Sequence, residues 1–283
     1  MKERRGSRPS RGRKRPRRFL RRISCRRLLP LLLLAVFLYG AVNLLQYALR
    51  SASTQRTNAE LQALHAVDSS AVSIALEVTP EPELSDSYQH IGEEILPEMA
   101  ELYARNPDLV AWLHIPGVVN LPVVYRDNSY YLDHDFDGAQ SDSGTLFLDE
   151  AHPLAADTQY LVVHGHNMYD GSMFARLTHY RKRAYMEEHP TVELTTLYRK
   201  ESYEVVGALN VSDSFKSDGY VAYTGTQSFA SQDRFRGFVR SLRENALYWK
   251  EGAELQPSDA LLALSTCYQE DHRIVVICRR VGP

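Results

Sequence analysis

Three side chains in the sequence have the chemistry of an acyl-transfer site: a cysteine, a histidine and an arginine. Cys267 ends the segment L-S-T-C, Arg273 lies six residues further on, and His166 ends the segment L-V-V-H-G-H. A thiolate attacks carbonyl carbon, and a neighbouring histidine or arginine favours its formation. Histidine transfers protons near neutral pH. Arginine stays charged and can stabilise the oxyanion of a tetrahedral intermediate.

Each of these residues lies at the end of a predicted strand, where a scaffold presents side chains to a cleft. Residues 260–266 precede Cys267, Arg273 begins the segment R-I-V-V-I-C, and residues 160–164 precede His166. If the last two strands form a hairpin, Cys267 and Arg273 face each other across its mouth. The spacing therefore predicts one shared cleft. Each residue type also has an ordinary role, as a small buried thiol, a turn histidine or a solvated arginine.

Two neighbouring residues admit other interpretations. His164 and His166 could both bind zinc from one strand face, but a zinc site needs a third ligand. We expect neither a metal nor another cofactor. Cys278 could pair with Cys267, but side chains alternate along a strand, which puts Cys278 on the face opposite Arg273. We therefore expect Cys278 to pack in the core.

The domain that holds these residues has a mainly β pattern. Short apolar or alternating runs are separated by Gly, Pro, Asn and Asp, which is typical of strands joined by turns. The predicted strands are residues 110–115, 122–125, 144–148, 160–164, 191–197, 203–211, 260–266 and 274–278. Short helical pieces are predicted within residues 91–102, and one late helix over residues 232–247. About eight strands with few helices favour a β-barrel or a sandwich.

The N-terminal end of the chain differs sharply from the rest. The first 27 residues hold 14 of the 33 Lys and Arg and one acid, whereas the remainder has a net charge of about −15. Residues 28–49 carry no charge and, at about 1.5 Å per helical residue, are long enough to cross a hydrocarbon core of roughly 30 Å. Basic residues before such a span put the N-terminus in the cytoplasm.

Two other interpretations of the basic and apolar N-terminal end have to be compared with a membrane anchor. A cleaved signal peptide is the alternative to an anchor, but its apolar core is usually only about 7–15 residues long. A nucleic-acid-binding protein would carry its positive charge on the folded domain instead. The length of the apolar run and the acidic domain therefore favour a membrane anchor.

The composition therefore predicts four regions. These are a basic cytoplasmic tail (residues 1–27), a transmembrane anchor (28–49), an extracellular spacer (50–87) and a catalytic domain (88–283). The protein is expected in the cell membrane with a single span and its domain outside. The exported part contains only Cys267 and Cys278, which is not a disulfide framework.

Three segments resemble the class B sortases of Gram-positive bacteria, in the order found in that family. They are N-P-D-L-V-A-W-L-H-I-P-G at residues 106–117 with P-V-V at 122–124, G-H-N-M at 165–168 with G-S-M-F at 171–174, and L-S-T-C at 264–267 with R-I-V-V at 273–276. The resemblance covers roughly residue 91 to the C-terminus. His164 stands where the family often has tyrosine, and Ala111 where glycine is usual.

This resemblance implies an eight-stranded sortase-type barrel with short N-terminal helices, and His166, Cys267 and Arg273 as the catalytic set. It implies cleavage after Thr of an Asn-Pro-x-Thr-x-like C-terminal sorting signal on surface proteins, through a Cys267 thioacyl intermediate. The acyl group would pass to an amine of the peptidoglycan cross-bridge or its lipid-linked precursor. Both partners would meet the enzyme at the membrane lipid surface, and no nucleic acid is implied.

Three alternative functions are compatible with the same residues. A pilin-polymerising sortase would use a pilin lysine as the amine, although the spacer shows no aromatic lid motif of that kind. A secreted cysteine hydrolase would use water to resolve the thioester. A non-enzymatic surface binding protein could use a related barrel.

The charge distribution makes a prediction about topology. Protease added to intact cells or spheroplasts should remove the domain that carries Cys267 and leave the basic tail protected, because the positive charge precedes residues 28–49. The two fragments can be followed by immunoblotting with tags at each terminus. A digested tail with a protected domain would show that the orientation is reversed.

Overall fold

The computed structural model describes residues 25–66, 94–152, 158–217, 219–225, 229–269 and 271–282. Nearly all of the predicted basic tail, most of the predicted spacer and the predicted start of the domain at residue 88 lie outside these ranges. The regions proposed from composition therefore stay predictions in those parts.

Nine strands and four α-helices make up the described fold. The strands are β1 (Leu109–Ile115), β2 (Val119–Tyr125), β3 (Leu146–Leu148), β4 (Tyr160–His164), β5 (Thr191–Thr196), β6 (Lys200–Ser212), β7 (Ala246–Trp249), β8 (Leu261–Gln269) and β9 (His272–Val281). The helices are α1 (Cys25–His65), α2 (Pro97–Arg105), α3 (Arg183–Glu188) and α4 (Gln232–Glu244), with 3-10 turns at Tyr130–Leu132 and Ala175–Arg181.

Eight of the strands close into a barrel. The sheet order is β5-β1-β2-β3-β4-β8-β9-β6-β7, and an additional pairing between β5 and β6 joins the ends. The predicted mainly β barrel of eight strands is therefore confirmed. Closure leaves no free edge along the ring, which removes the usual route to edge-to-edge aggregation.

The ninth strand was not predicted from the sequence. The helical pattern extended to residue 247, but α4 ends at Glu244 and the next residues form β7. Strand β6 is 13 residues long, and β5 pairs only with its first part, from Lys200 to Glu204. The edge further along, at Gly207, remains available and pairs with Trp249 of β7. A tertiary pairing thus overrides the local helical pattern.

Alternation along the strands produces one apolar cluster inside the barrel and others outside it. Every strand of the ring contributes to the inner cluster, and in β9 these residues are Ile274, Val276 and Cys278. The intervening residues Val275 and Ile277 pack on the outer face in a second cluster that includes residues of α4. Helix α4 begins at a cap in which the Ser231 hydroxyl accepts a hydrogen bond from the Arg234 N–H.

Helix α1 combines a long apolar stretch with a C-terminal end that belongs to the unit containing the barrel. Among the described residues, one helix, Leu29–His65, is long and apolar enough to cross a membrane. The chain divides into two compact units, Met1–Tyr47 and Ala48–Pro283, so the last turns of α1 belong to the unit that contains the barrel. There Leu61 is fully buried beside Met99 and Leu102, and the ring of His65 stacks on Trp112 with 4.3 Å between centroids.

Burial of the end of α1 predicts a measurable contribution to stability. Leu61→Ala should lower the free energy of unfolding by about 2–5 kcal/mol, because it leaves a cavity in a packed cluster. Denaturant unfolding of the full chain in detergent, followed by circular dichroism, measures this loss. The control is Leu247→Ala, because Leu247 is 48% exposed and its loss should change stability by about 0.5 kcal/mol or less. Equal effects of the two substitutions would contradict the docking of α1.

Candidate active site

The hairpin predicted at the end of the chain is formed by β8 and β9. Cys267 is the register partner of Arg273, and the register shifts between Cys267 and Gln269. Bulges of this kind re-aim side chains at the end of a ladder. The Cys267 thiol is exposed, and Ser265 and Thr266 just before it are fully buried. The buried strand thus fixes the backbone from which an accessible thiol projects.

His166 lies at the same level of the barrel as Cys267, because it follows β4, the strand that pairs with β8 on the edge opposite β9. Strand β4 pairs with β8 in parallel, with His164 opposite Ser265. Beyond the strand, the Gly165 N–H donates to the Ser265 carbonyl at 3.2 Å, and the Thr266 hydroxyl donates to the Gly165 carbonyl at 2.8 Å. His166 therefore follows β4 at the height at which Cys267 follows Thr266 in β8.

The imidazole of His166 is held by a backbone oxygen. Its Nε2 lies 2.7 Å from the Leu132 carbonyl, and because a carbonyl only accepts, Nε2 must carry the hydrogen. Nδ1 then remains for proton exchange with a reacting group. The loop after His166 is closed by the Phe174 N–H, which donates to the His166 carbonyl at 2.9 Å.

Gly165 makes this close packing possible. A Cβ at this position would lie 2.7 Å from Cδ2 of Phe174, well inside van der Waals contact. Absence of a side chain therefore lets β4 end directly against the loop that carries the histidine.

Arg273 has a carboxylate partner that no sequence motif indicated. Its Nε donates to Oδ1 of Asp213 at 2.5 Å, and the two side chains are 30% and 39% exposed. Burial acts to lower the pKa of Arg273, but the hydrogen bond to Asp213 and the charges of neighbouring groups, including Cys267, raise it overall. The guanidinium therefore stays fully charged beside the thiol.

A buried hydroxyl pair lies behind the thiol. The hydroxyl groups of Tyr223 and Ser265 are 2.9 Å apart, and Tyr160 donates to the Tyr223 carbonyl at 2.7 Å. Both tyrosines and Ser265 are buried. This network ties the segment after β6 to β8 two residues before Cys267.

A second buried network supports the end of β4. Asp149 accepts from His164 at 2.9 Å and contacts His152 at 3.2 Å. Burial acts to raise the pKa of Asp149, but the hydrogen bonds from His152 and His164 hold that pKa well below its usual range. His164 is therefore engaged by a carboxylate, whereas His166 bonds to a backbone carbonyl. No group of three or more metal-binding side chains occurs among the described residues.

Cys278 lies where strand alternation predicted it. It is fully buried in the inner cluster, and this burial raises the pKa of its thiol. Cys267 and Cys278 are both free thiols. The prediction that Cys278 packs in the core is confirmed.

The sequence indicated Cys267, His166 and Arg273 but not the side chains that bond to Arg273, to His164 and to Ser265. Asp149, Asp213 and Tyr223 each bond to a residue at least 15 positions away along the chain. Their own sequence contexts carry no recognisable motif, because the contacts exist only after the barrel closes.

Comparison with known proteins agrees with this architecture. A family model described as the sortase domain matches residues 113–281. Sortase B of Listeria monocytogenes is 25% identical over 183 residues, which covers 64% of this chain and 71% of the relative. A crystal structure of sortase B from Bacillus anthracis has a TM-score of 0.65 at 22% identity and covers 83% of this chain and 100% of that one. Sortase B of Clostridium perfringens has a TM-score of 0.58 at 26% identity, covering 65% and 99%.

The matched segment exceeds half of the 283 residues, and the chain therefore belongs to the sortase family. It is accordingly a transpeptidase of the cell-wall anchoring kind. Its relatives identify it more narrowly as a class B sortase.

Proposed function

We propose that this protein cleaves the C-terminal sorting signal of surface proteins after a threonine and joins the new C-terminus to an amine of the cell wall. The expected signal is of the Asn-Pro-x-Thr-x type, as the family resemblance implies. In this proposal Cys267 is the nucleophile, His166 transfers protons and Arg273 stabilises the oxyanion.

One observation carries the proposal: three neighbouring strands bring Cys267, His166 and Arg273 to one level of the barrel. Strand β8 pairs with β4 on one side and with β9 on the other. Cys267 is opposite Arg273, and His164, two residues before His166, is opposite Ser265, two residues before Cys267. A thiol, an imidazole and a guanidinium at three adjacent strand ends are suited to acyl transfer.

The reaction follows from these groups in two stages. The Cys267 thiolate attacks the threonine carbonyl carbon, and Arg273 stabilises the tetrahedral oxyanion. The C–N bond breaks as His166, in its imidazolium form, protonates the departing amine, which leaves a thioester on Cys267. An incoming amine attacks the thioester, His166 takes its proton, and the thiolate departs.

The membrane helix gives this reaction a location. Leu29–His65 is long and apolar enough to span a membrane, and the chain from Ala48 belongs to the same compact unit as the barrel. We infer that the site works near the outer leaflet, where a surface protein and a lipid-linked cell-wall precursor both arrive.

Product analysis tests the proposed function. The full chain in detergent is incubated with quenched fluorescent peptides of the form Asn-Pro-x-Thr-x, with and without hydroxylamine as the amine. Cys267→Ala should abolish cleavage and adduct formation, because no other described exposed thiol remains. Cys278→Ala should keep most activity, because Cys278 is buried away from the cleft. Mass spectrometry should find a thioacyl adduct and, with amine, a hydroxamate.

Other products would point to other functions. A carboxylate product that hydroxylamine does not divert would identify a hydrolase. Faster transfer to a lysine-containing pilin segment than to a cell-wall amine would favour pilin polymerisation. An inactive Cys278→Ala variant together with an active Cys267→Ala variant would overturn the assignment of the nucleophile.

His166 and Arg273 should differ in their response to the leaving group. Arg273→Lys keeps a charge but loses the planar fork of donors. It should therefore lower the transfer rate by about 10²–10³, the typical cost of losing one oxyanion donor. His166→Ala should nearly stop acylation by the peptide because the leaving amine lacks a proton donor. An activated thioester needs no such donor, so it should partly rescue His166→Ala but not Arg273→Ala.

Alkylation provides the control for these variants. Cys267 should still react with iodoacetamide in the Arg273 variants, because alkylation forms no oxyanion. Equal rescue of His166→Ala and Arg273→Ala by the thioester, or full activity of Arg273→Lys, would contradict the separate roles.

A further inference from the structure

The proposed reaction uses Arg273 but leaves its carboxylate partner without a role. Asp213 lies just after β6, on the side of Arg273 opposite β8, since β9 is flanked by β6 and β8. Its Oδ1 accepts from Nε of Arg273 at 2.5 Å. Within the described part of the chain, Asp213 is the hydrogen-bond acceptor found for this guanidinium. The nucleophile thus lies in β8 and the carboxylate just after β6, and these two strands flank β9.

Asp213 is held in place by backbone contacts of its own. Its N–H donates to the Asp271 carbonyl at 2.9 Å, and the residue before it, Ser212, is the register partner of His272. The Ser214 N–H donates to the Ser212 hydroxyl at 3.2 Å. The carboxylate is therefore fixed to the same β6–β9 ladder that fixes the Arg273 backbone opposite Val211.

A bond to Nε determines where the rest of the guanidinium points. The group is planar, with its five N–H donors in a rigid fork. When a carboxylate engages Nε, rotation of the plane is restricted, and the outer edge formed by the two terminal nitrogens is left for another acceptor. Without that contact, a side chain that is 30% exposed would sample several rotamers and lose entropy whenever it met an oxyanion.

We propose that Asp213 is the positioning residue of Arg273 and that it presents the terminal nitrogens of the guanidinium to the oxyanion that forms above Cys267. This proposal rests on the proposed function, because it assumes that Arg273 stabilises an oxyanion. In this proposal Asp213 acts only through the arginine.

The pair is suited to orientation more than to stability. Both side chains are partly exposed, and ion pairs of this kind contribute little to folding. A carboxylate also withdraws some positive potential from the oxyanion site, so its benefit must come from geometry. An amide at position 213 keeps an oxygen acceptor for Nε without the charge. The positioning role therefore predicts that Asp213→Asn is far more active than Asp213→Ala.

The experiment uses the full chain in detergent and quenched Asn-Pro-x-Thr-x peptides, with acylation measured by single-turnover mass spectrometry. Asp213→Ala should lower the acylation rate by about 10- to 100-fold, the usual cost of losing a partner that orients a functional group. KM should change little, and Asp213→Asn should keep most of the rate. Iodoacetamide should label Cys267 at the wild-type rate in both variants. Asp233→Ala is the matched control, because Asp233 is 94% exposed and forms only a 3.6 Å ion pair with Arg236.

The decisive comparison places Asp213→Ala in the Arg273→Lys background. Lysine has no Nε donor in this geometry, so removal of the carboxylate should cause no further loss. If the double variant acylates more slowly than Arg273→Lys by the full factor lost in Asp213→Ala alone, Asp213 acts independently of Arg273 and the proposal is wrong. A wild-type acylation rate in Asp213→Ala would also overturn the proposal. If circular dichroism shows that Asp213→Ala is unfolded, the acylation rate and the iodoacetamide labelling of Asp213→Asn test the proposal instead. An Asp213→Asn variant that acylates as slowly as Arg273→Ala would contradict positioning by an oxygen acceptor.

Failure of this inference is distinguishable from failure of the proposed function. An active Cys267→Ala would remove the function itself, and with it any role for Asp213. If Cys267→Ala and Arg273→Ala are inactive but Asp213→Ala acylates at the wild-type rate, only the positioning role of Asp213 is wrong.

Discussion

The pairing of β8 on both of its edges is the constraint on which the site depends. Its parallel partner β4 delivers His166 and its antiparallel partner β9 delivers Arg273, while β8 itself carries Cys267 near its end. A slip of one residue in either ladder would turn a side chain to the other face of the sheet. The buried apolar residues of β8 and β9 oppose such a slip, because it would expose the inner cluster.

Polar networks fix the ends of these strands where apolar packing stops. The Asp149 carboxylate engages His164 in the last position of β4, and the Tyr223 hydroxyl meets Ser265 in β8. A buried carboxylate is costly unless it is paired, and the two histidines supply that pairing. The residues that follow, His166 and Cys267, are therefore held on a rigid base while their own side chains remain accessible to a substrate.

Helix α1 contributes its C-terminal end to the unit that contains the barrel. In its final turns Leu61 packs beside Leu102. The barrel of this class B sortase is thus built against the end of the same helix whose earlier residues are apolar enough for a membrane.

The sequence by itself determined the strands of the ring, the pairing of Cys267 with Arg273 and the inward position of Cys278, because alternation and turn residues are local signals. It also indicated the three residues of the proposed site through local motifs. Only the tertiary structure decided that β7 forms beside β6 and that α1 docks through Leu61, since both depend on surfaces formed by distant segments. The partners Asp149 and Asp213 were decided in the same way: a carboxylate acquires a role only when closure of the barrel brings a histidine or a guanidinium within hydrogen-bonding distance.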